Sequence, residues 1–288
     1  MILLRLRIGF SAAFHRFVRF PPLSEKTNRI CGEAIPSAAA LMNDPIYNTL
    51  MSVGAGVALL LLVSIGFRMI RGGHVNRGAH AVAFAAIGVL LSFLGAVMTV
   101  TWPLSGPTAF DNIVFGEPVL AMGVLLVAGS YLLGSQRFWS LSPAEDNLAG
   151  TSWSHLAGLL RPLSWFGAAM GLGLIAIAFV GPVYSPWEAP PQEPISSEFS
   201  NTEWLENGFI SALYLLTGLG AVLLPFALGK DTLTKAKGLL KVIGAFWAIT
   251  GTAFVLFGAL NYYTHIGLTI NSYEESQQQP QSVRQAQQ

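Results

Sequence analysis

The chain has 288 residues, 52% of them apolar and only 11% charged, whereas a typical soluble domain carries about 25% charged residues. So few charges cannot cover a water-facing exterior, and a formal net charge of +1 gives no electrostatic footprint for nucleic acid. The single cysteine, Cys31, excludes an internal disulfide framework and a cysteine-cluster metal site.

The first forty-one residues are basic, with Arg5, Arg7, Arg16, Arg19, Lys26 and Arg29. Arg5 and Arg7 interrupt the apolar start, so no clean signal-peptide core follows. Pro21-Pro22 and the Ser/Ala stretch after them read as unstructured. Met42-Asn43-Asp44-Pro45 stands directly before the first apolar run. The simplest account makes Met42 the natural start and residues 1–41 a disordered or non-native extension. A basic amphipathic segment lying on the membrane is the rival.

Six charge-free gaps follow, at 45–67, 78–110, 118–136, 162–187, 207–229 and 242–273. About 20 apolar residues in a helix cross a hydrocarbon core roughly 30 Å thick. Backbone groups in lipid must be satisfied internally, so the gaps predict helices, at 46–68, 80–101, 117–136, 163–181, 207–228 and 240–261. The expected fold is therefore all-α, an integral membrane bundle of six transmembrane helices over 42–268, with a polar disordered tail at 269–288. Gly88, Ser92 and Ala96 recur every four residues, as do Gly167 and Gly171, a spacing that lets helices pack closely.

Charge is segregated between alternate connections. Residues 68–79, 137–161 and 229–241 hold nine Lys and Arg side chains: Arg68, Arg71, Arg77, Arg137, Arg161, Lys230, Lys235, Lys237 and Lys241. The connections 102–117 and 182–206 hold none, but carry Asp111, Glu117, Glu188, Glu193, Glu198, Glu203 and Glu206. Positive-inside places the basic set in the cytoplasm and both ends of the core outside. Trp102, Trp187, Trp204, Tyr262 and Tyr263 then read as an outer aromatic belt, and Trp139, Trp153 and Trp165 as an inner one. The 182–206 stretch, rich in Pro and Glu, reads as a solvated connection.

No P-loop, Gly-x-Ser-x-Gly elbow or His-Glu-x-x-His run occurs in the chain. No histidine lies deep inside an expected span, which disfavours a haem held between helices. No charge lies at mid-membrane, where ion-coupled transporters usually place one, although broken helices can bind ions through backbone carbonyls.

The informative segment runs from Thr101 to Pro118 and joins the second and third helices. Pro103 stops the second helix. Pro118 suits the first turn of the third, with Glu117 at that helix's N-terminus, where the dipole favours an anion. An outer loop with a cap and a belt tryptophan explains all of this. A functional reading adds Glu206 and His265, which reach the same face. Trp102, Asp111, Asn112, Glu117, Glu206 and His265 form the candidate outer-face site. Histidine with carboxylates can bind a divalent metal or move protons, but the residues name no specific cofactor or metal.

Thr101-Trp102-Pro103-Leu104, followed by Asp111-Asn112-Ile113-Val114-Phe115-Gly116-Glu117-Pro118, resembles the signature loop of an uncharacterised prokaryotic membrane-protein family, domain-of-unknown-function family 981. The resemblance covers about Met42 to Leu268; outside the loop it is one of hydropathy. It implies a multi-pass membrane protein of the prokaryotic cytoplasmic membrane and supplies no activity. The fourth and fifth helices are joined by a second acidic loop with Trp187, Pro190, Pro191 and Glu206. That echo fits either an internal repeat or an up-down bundle of hairpins. Three functions stay open: a non-enzymatic component or accessory subunit working with other membrane subunits in the lipid bilayer, a small-solute transporter or channel, and a membrane redox or metal-dependent enzyme with an outward-facing site.

Overall fold

The computed structural model describes residues 48–138, 147–148, 151–187, 190–195 and 202–278. They form α1 (Asn48–Arg71), α2 (Arg77–Thr101), α3 (Glu117–Gly134), α4 (Trp153–Ala178), the short α5 (Val180–Tyr184), α6 (Glu203–Leu228) and α7 (Leu233–Gln278). Among the described residues there is no strand, only an isolated bridge between Asn76 and Asn147. Six helices are long and apolar enough to cross a bilayer. The fold is the expected all-α bundle of six transmembrane helices, one in each charge-free gap.

The helices associate as three tight antiparallel pairs: α2 with α3, α4 with α6, and α1 with α7. Glycine makes each pairing possible by letting backbones approach. A Cβ on Gly88 would lie 3.0 Å from the Gly123 carbonyl oxygen, and one on Gly171 would lie 2.8 Å from that of Gly218. In the third pair, Gly56 faces Gly251 and Gly258 faces Val53. The four-residue spacing of small residues thus has its expected use at Gly88 and Ser92, whose backbone nitrogen and side chain abut Gly123. Contacts across the α1/α2 and α3/α4 seams are much sparser than within the pairs.

The up-down path brings the connections to two ends. At the basic end, Asn76 caps α2 by accepting from the Ala79 N–H at 2.7 Å. The Arg77 guanidinium donates to the Leu133 carbonyl at 2.7 Å, locking the far end of α3. The Trp153 indole donates to the Lys230 carbonyl at 2.8 Å. At the acidic end lie the 102–111 loop, residues 185–187 and 190–195, the start of α1 and the C-terminal part of α7.

Several details depart from the expectations. Helical backbone already begins at Asn112 as a π turn, Asn112–Gly116, which runs into α3. Glu117 therefore sits inside a continuous helix, with helical Gly116 before it, rather than at a free N-terminus. The 182–206 connection is not simply solvated: Glu193 is only 9% exposed, and Pro194 packs on Gly267 of α7. Trp187 is buried and stacks on Tyr214, at 6.4 Å between ring centroids, so it belongs to the protein interior and not to an aromatic belt. Trp102, Trp165, Trp204, Tyr262 and Tyr263 are exposed as belt residues should be, while Trp139 lies outside the described residues. Finally, α7 stays helical to Gln278, ten residues into the expected tail. Gln192 anchors that extension by accepting from the Asn271 amide and donating to the Glu275 carboxylate, both at 2.8 Å. The extension 1–41 lies outside the described residues.

Candidate functional site

The loop after α2 is built around one asparagine. Helix α2 stops when Trp102 turns left-handed (φ 50°), its N–H returning to the Met98 carbonyl. Pro103 cannot donate, and Leu104 turns inward. Asn112 then satisfies both backbone groups of Leu104: its side-chain oxygen accepts from the Leu104 N–H at 3.2 Å, and its amide donates to the Leu104 carbonyl at 2.8 Å. A third bond runs to the Ala109 carbonyl at 2.9 Å. Asn112 is fully buried, and a buried amide of this kind must be bonded to be tolerated.

The second hairpin repeats the device. Ser185 turns left-handed after α5 (φ 45°), Pro186 follows, and Trp187 turns inward. The Asn207 side chain accepts from the Trp187 N–H at 3.1 Å and donates to the Trp187 carbonyl at 3.3 Å. Both asparagines follow an acid, Asp111 and Glu206. Gly88 precedes Trp102 by fourteen positions, as Gly171 precedes Ser185; Gly123 follows Asn112 by eleven, as Gly218 follows Asn207. The echo in the two outer loops thus extends to the register of the helices themselves. The sequence signal that would have found Asn207 was this acid–Asn pair beyond an inward X-Pro-apolar turn.

The six candidate residues fall in four places. Trp102, Asp111 and Asn112 share the first loop. Burial pushes the Asp111 carboxyl up to about 7, one of its oxygens has no hydrogen-bond partner, and the Tyr214 hydroxyl lies within electrostatic range. That hydroxyl donates to the Val114 carbonyl at 2.9 Å, tying α6 to the π turn. Glu117 is exposed. Glu206 stands beside the second clamp and is itself partnered.

His265 belongs to a different cluster. Its Nδ1 lies 3.0 Å from the Thr49 hydroxyl, and its Nε2 lies 3.8 Å from the Glu193 carboxylate. The order hydroxyl–imidazole–carboxylate has a catalytic look, but 3.8 Å is too long for a hydrogen bond. The central cavity, moreover, has neither Thr49 nor His265 in its wall. The cluster joins α1, α7 and the 190–195 segment. Among the described residues no three His, Cys, Asp or Glu side chains come together as a metal site would require.

A cavity of about 900 Å³ is lined by all six long helices. Its wall follows α1 from Met51 to Arg71, about 30 Å at 1.5 Å per residue, which equals the hydrocarbon thickness of a bilayer. Leu, Ile, Val, Met and Phe side chains dominate that wall, with Tyr214 and Asn261 at its acidic end. It is large enough for a small-molecule site, and the space between bundle helices is a usual place for one.

Six bilayer-length helices around a largely apolar cavity define a multi-pass integral membrane protein. The chain belongs to the family described as "Protein of unknown function (DUF981)", whose model matches residues 42–267. No curated protein and no solved structure matches it.

Proposed function

We propose that this chain is a non-enzymatic membrane component that holds an amphiphile drawn from the bilayer inside its helical ring. One observation carries the reading: a cavity of about 900 Å³ as deep as the hydrocarbon core, with an almost wholly apolar wall. Water gains nothing in such a space, because it needs two or more polar partners, whereas a hydrocarbon chain loses nothing on leaving the surrounding lipid. A small-solute path would need polar side chains along its length, and beyond the basic mouth at Arg71, Lys237 and Lys241 the described wall offers mainly Ser52, Ser164, Thr217, Tyr214 and Asn261. A redox or metal-dependent enzyme would need its acids and histidine together; His265 and Asp111 stand in separate clusters. As an accessory component the protein would deliver or present its lipid to other membrane subunits.

The charge distribution supports a prokaryotic cytoplasmic-membrane orientation with the nine-cation end inside and both ends of the core outside. With Cys31 replaced, Ser105→Cys should react with an impermeant thiol reagent in intact cells and Thr234→Cys only after lysis; the opposite pattern overturns that orientation. For the cavity, native mass spectrometry of protein released gently from membranes should find one or two lipids retained per chain. Gly244 lines the cavity with open space beside its Cα, so Gly244→Phe should enter the cavity without a clash and displace lipid. Retention unchanged by that substitution would place the lipid on the outside of the bundle and sink the reading.

A further inference from the structure

The cavity is electrically one-sided. Among its described lining residues the charged ones are Arg71, Lys237 and Lys241, all cations. The pairing of α1 with α7 sets their level: Gly56 faces Gly251 and Val53 faces Gly258. Carried along the two antiparallel helices, that register brings Arg71 level with Lys237 and Lys241. The two lysines, four residues apart, share one face of α7.

Among the described residues none of the three is neutralised by an acid. The Arg71 guanidinium lies 4.0 Å over the Phe67 ring, which supports its plane and leaves its N–H edge open. Among the described residues no acid pairs with Arg71, Lys237 or Lys241; Asp231 is engaged by Lys235 at 3.0 Å. Counting every residue of the sequence at this end, including Glu145 and Asp146, nine cations face three acids. Trp153 lines the cavity at the same end, with its indole bonded to Lys230, the placement of an aromatic at headgroup depth.

Lysines at helix ends usually extend along lipid to reach water. Here the three line one concave mouth, and the rest of the described wall contributes no charge. Basic pockets between transmembrane helices recognise anionic lipid headgroups.

We infer that the cavity is a site for an anionic membrane lipid, whose phosphate meets Arg71, Lys237 and Lys241 at the basic mouth while its acyl chains run toward Tyr214 and Asn261. The inference rests on the proposal that the cavity holds a bilayer amphiphile, and adds the head-group class and the polarity of binding.

The test is a competition on the full chain in nanodiscs containing equal amounts of phosphatidylglycerol and phosphatidylethanolamine, read by native mass spectrometry of retained lipid. The wild type should prefer phosphatidylglycerol by about tenfold or more, as expected from roughly three cations near one headgroup. The combined variant Arg71→Gln, Lys237→Gln, Lys241→Gln should lose that preference and still retain lipid. Arg137→Gln with Lys235→Gln, cations of the same end outside the cavity wall, should leave it intact and controls for surface charge. Retained lipid without head-group preference, or a preference that the triple variant keeps, overturns the head-group inference and leaves the cavity proposal standing. No retained lipid of either kind, or a lipid-free dimer with the cavity covered by a second copy, overturns both. Should the triple variant fail to insert, Lys237→Gln and Lys241→Gln made singly must each lower the preference, or the inference fails.

Discussion

The α2–α3 and α4–α6 hairpins solve one packing problem with the same parts and then diverge. In each, a left-handed residue and a proline turn the chain inward, an asparagine clamps both backbone groups of the next apolar residue, and a glycine pair seats the helices. In the first, the clamped Leu104 and its Asn112 are eight residues apart; in the second, Trp187 and Asn207 are twenty apart. Residues 190–195 of the additional chain form a strap, in which Gln192, Glu193 and Pro194 reach α7. The shared core of the device is local and is set by sequence spacing. The difference is tertiary: residues 192–194 of the second loop are tied to α7, whose His265 in turn meets Thr49 of α1.

The largest effect expected from this comparison is loss of a clamp. Asn112→Leu keeps the number and branching of heavy atoms but leaves the N–H and carbonyl of Leu104 without the Asn112 side chain as partner, at about 1–3 kcal/mol per group. Asn207→Leu should act in the same direction but by less, since its bonds to Trp187, at 3.1 and 3.3 Å, are both longer than the 2.8 Å bond from Asn112 to the Leu104 carbonyl. Thermal unfolding in mild detergent measures both. A variant indistinguishable from wild type would show that the clamp contributes nothing and that the two loops are alike only by chance.

A smaller effect should mark the strap. In a double-mutant cycle, Glu193→Gln and His265→Gln should couple by about 0.5–1 kcal/mol, because both side chains are largely withdrawn from water. Asp111→Asn should add independently to either. Coupling between Asp111 and His265 would instead mean that the acidic end acts as one unit, as the sequence reading of a single outer-face site expects.

A pH slope tests the first loop alone. With its carboxyl raised from 3.8 to about 7, Asp111 holds its proton more tightly folded than unfolded. Its contribution is thus full below the unfolded value and lost as pH rises through the folded one. Between pH 4 and 7 wild-type stability should fall with rising pH, and Asp111→Asn should flatten that part of the curve. A steeper slope in the variant would mean that the carboxylate is stabilised as an anion.

The helices were legible because lipid imposes a coarse rule, and each charge-free gap holds one. Their ends were less so. Helix α4 starts at Trp153, ahead of Arg161, because a helix can continue beyond the hydrocarbon where charge costs little. The far end of α7 needs Gln192, a partner distant in sequence. At the candidate site Asn112 was visible as a loop residue, and Asp111 as its neighbour. Glu193 and Thr49 were not, since their roles exist only once the strap and the first helix meet His265.

The pairing of α1 with α7 also sets an order of events during synthesis. Gly56 finds Gly251 only after nearly two hundred intervening residues have been made, roughly 10–40 s at 5–20 residues per second. For that interval α1 waits in the membrane with its glycine face against lipid, while the two clamped hairpins can each close on their own. Assembly should therefore end at the ring's last seam. A chain stopped before α7 should present two finished hairpins beside an unpaired first helix, the form that quality-control proteases would meet.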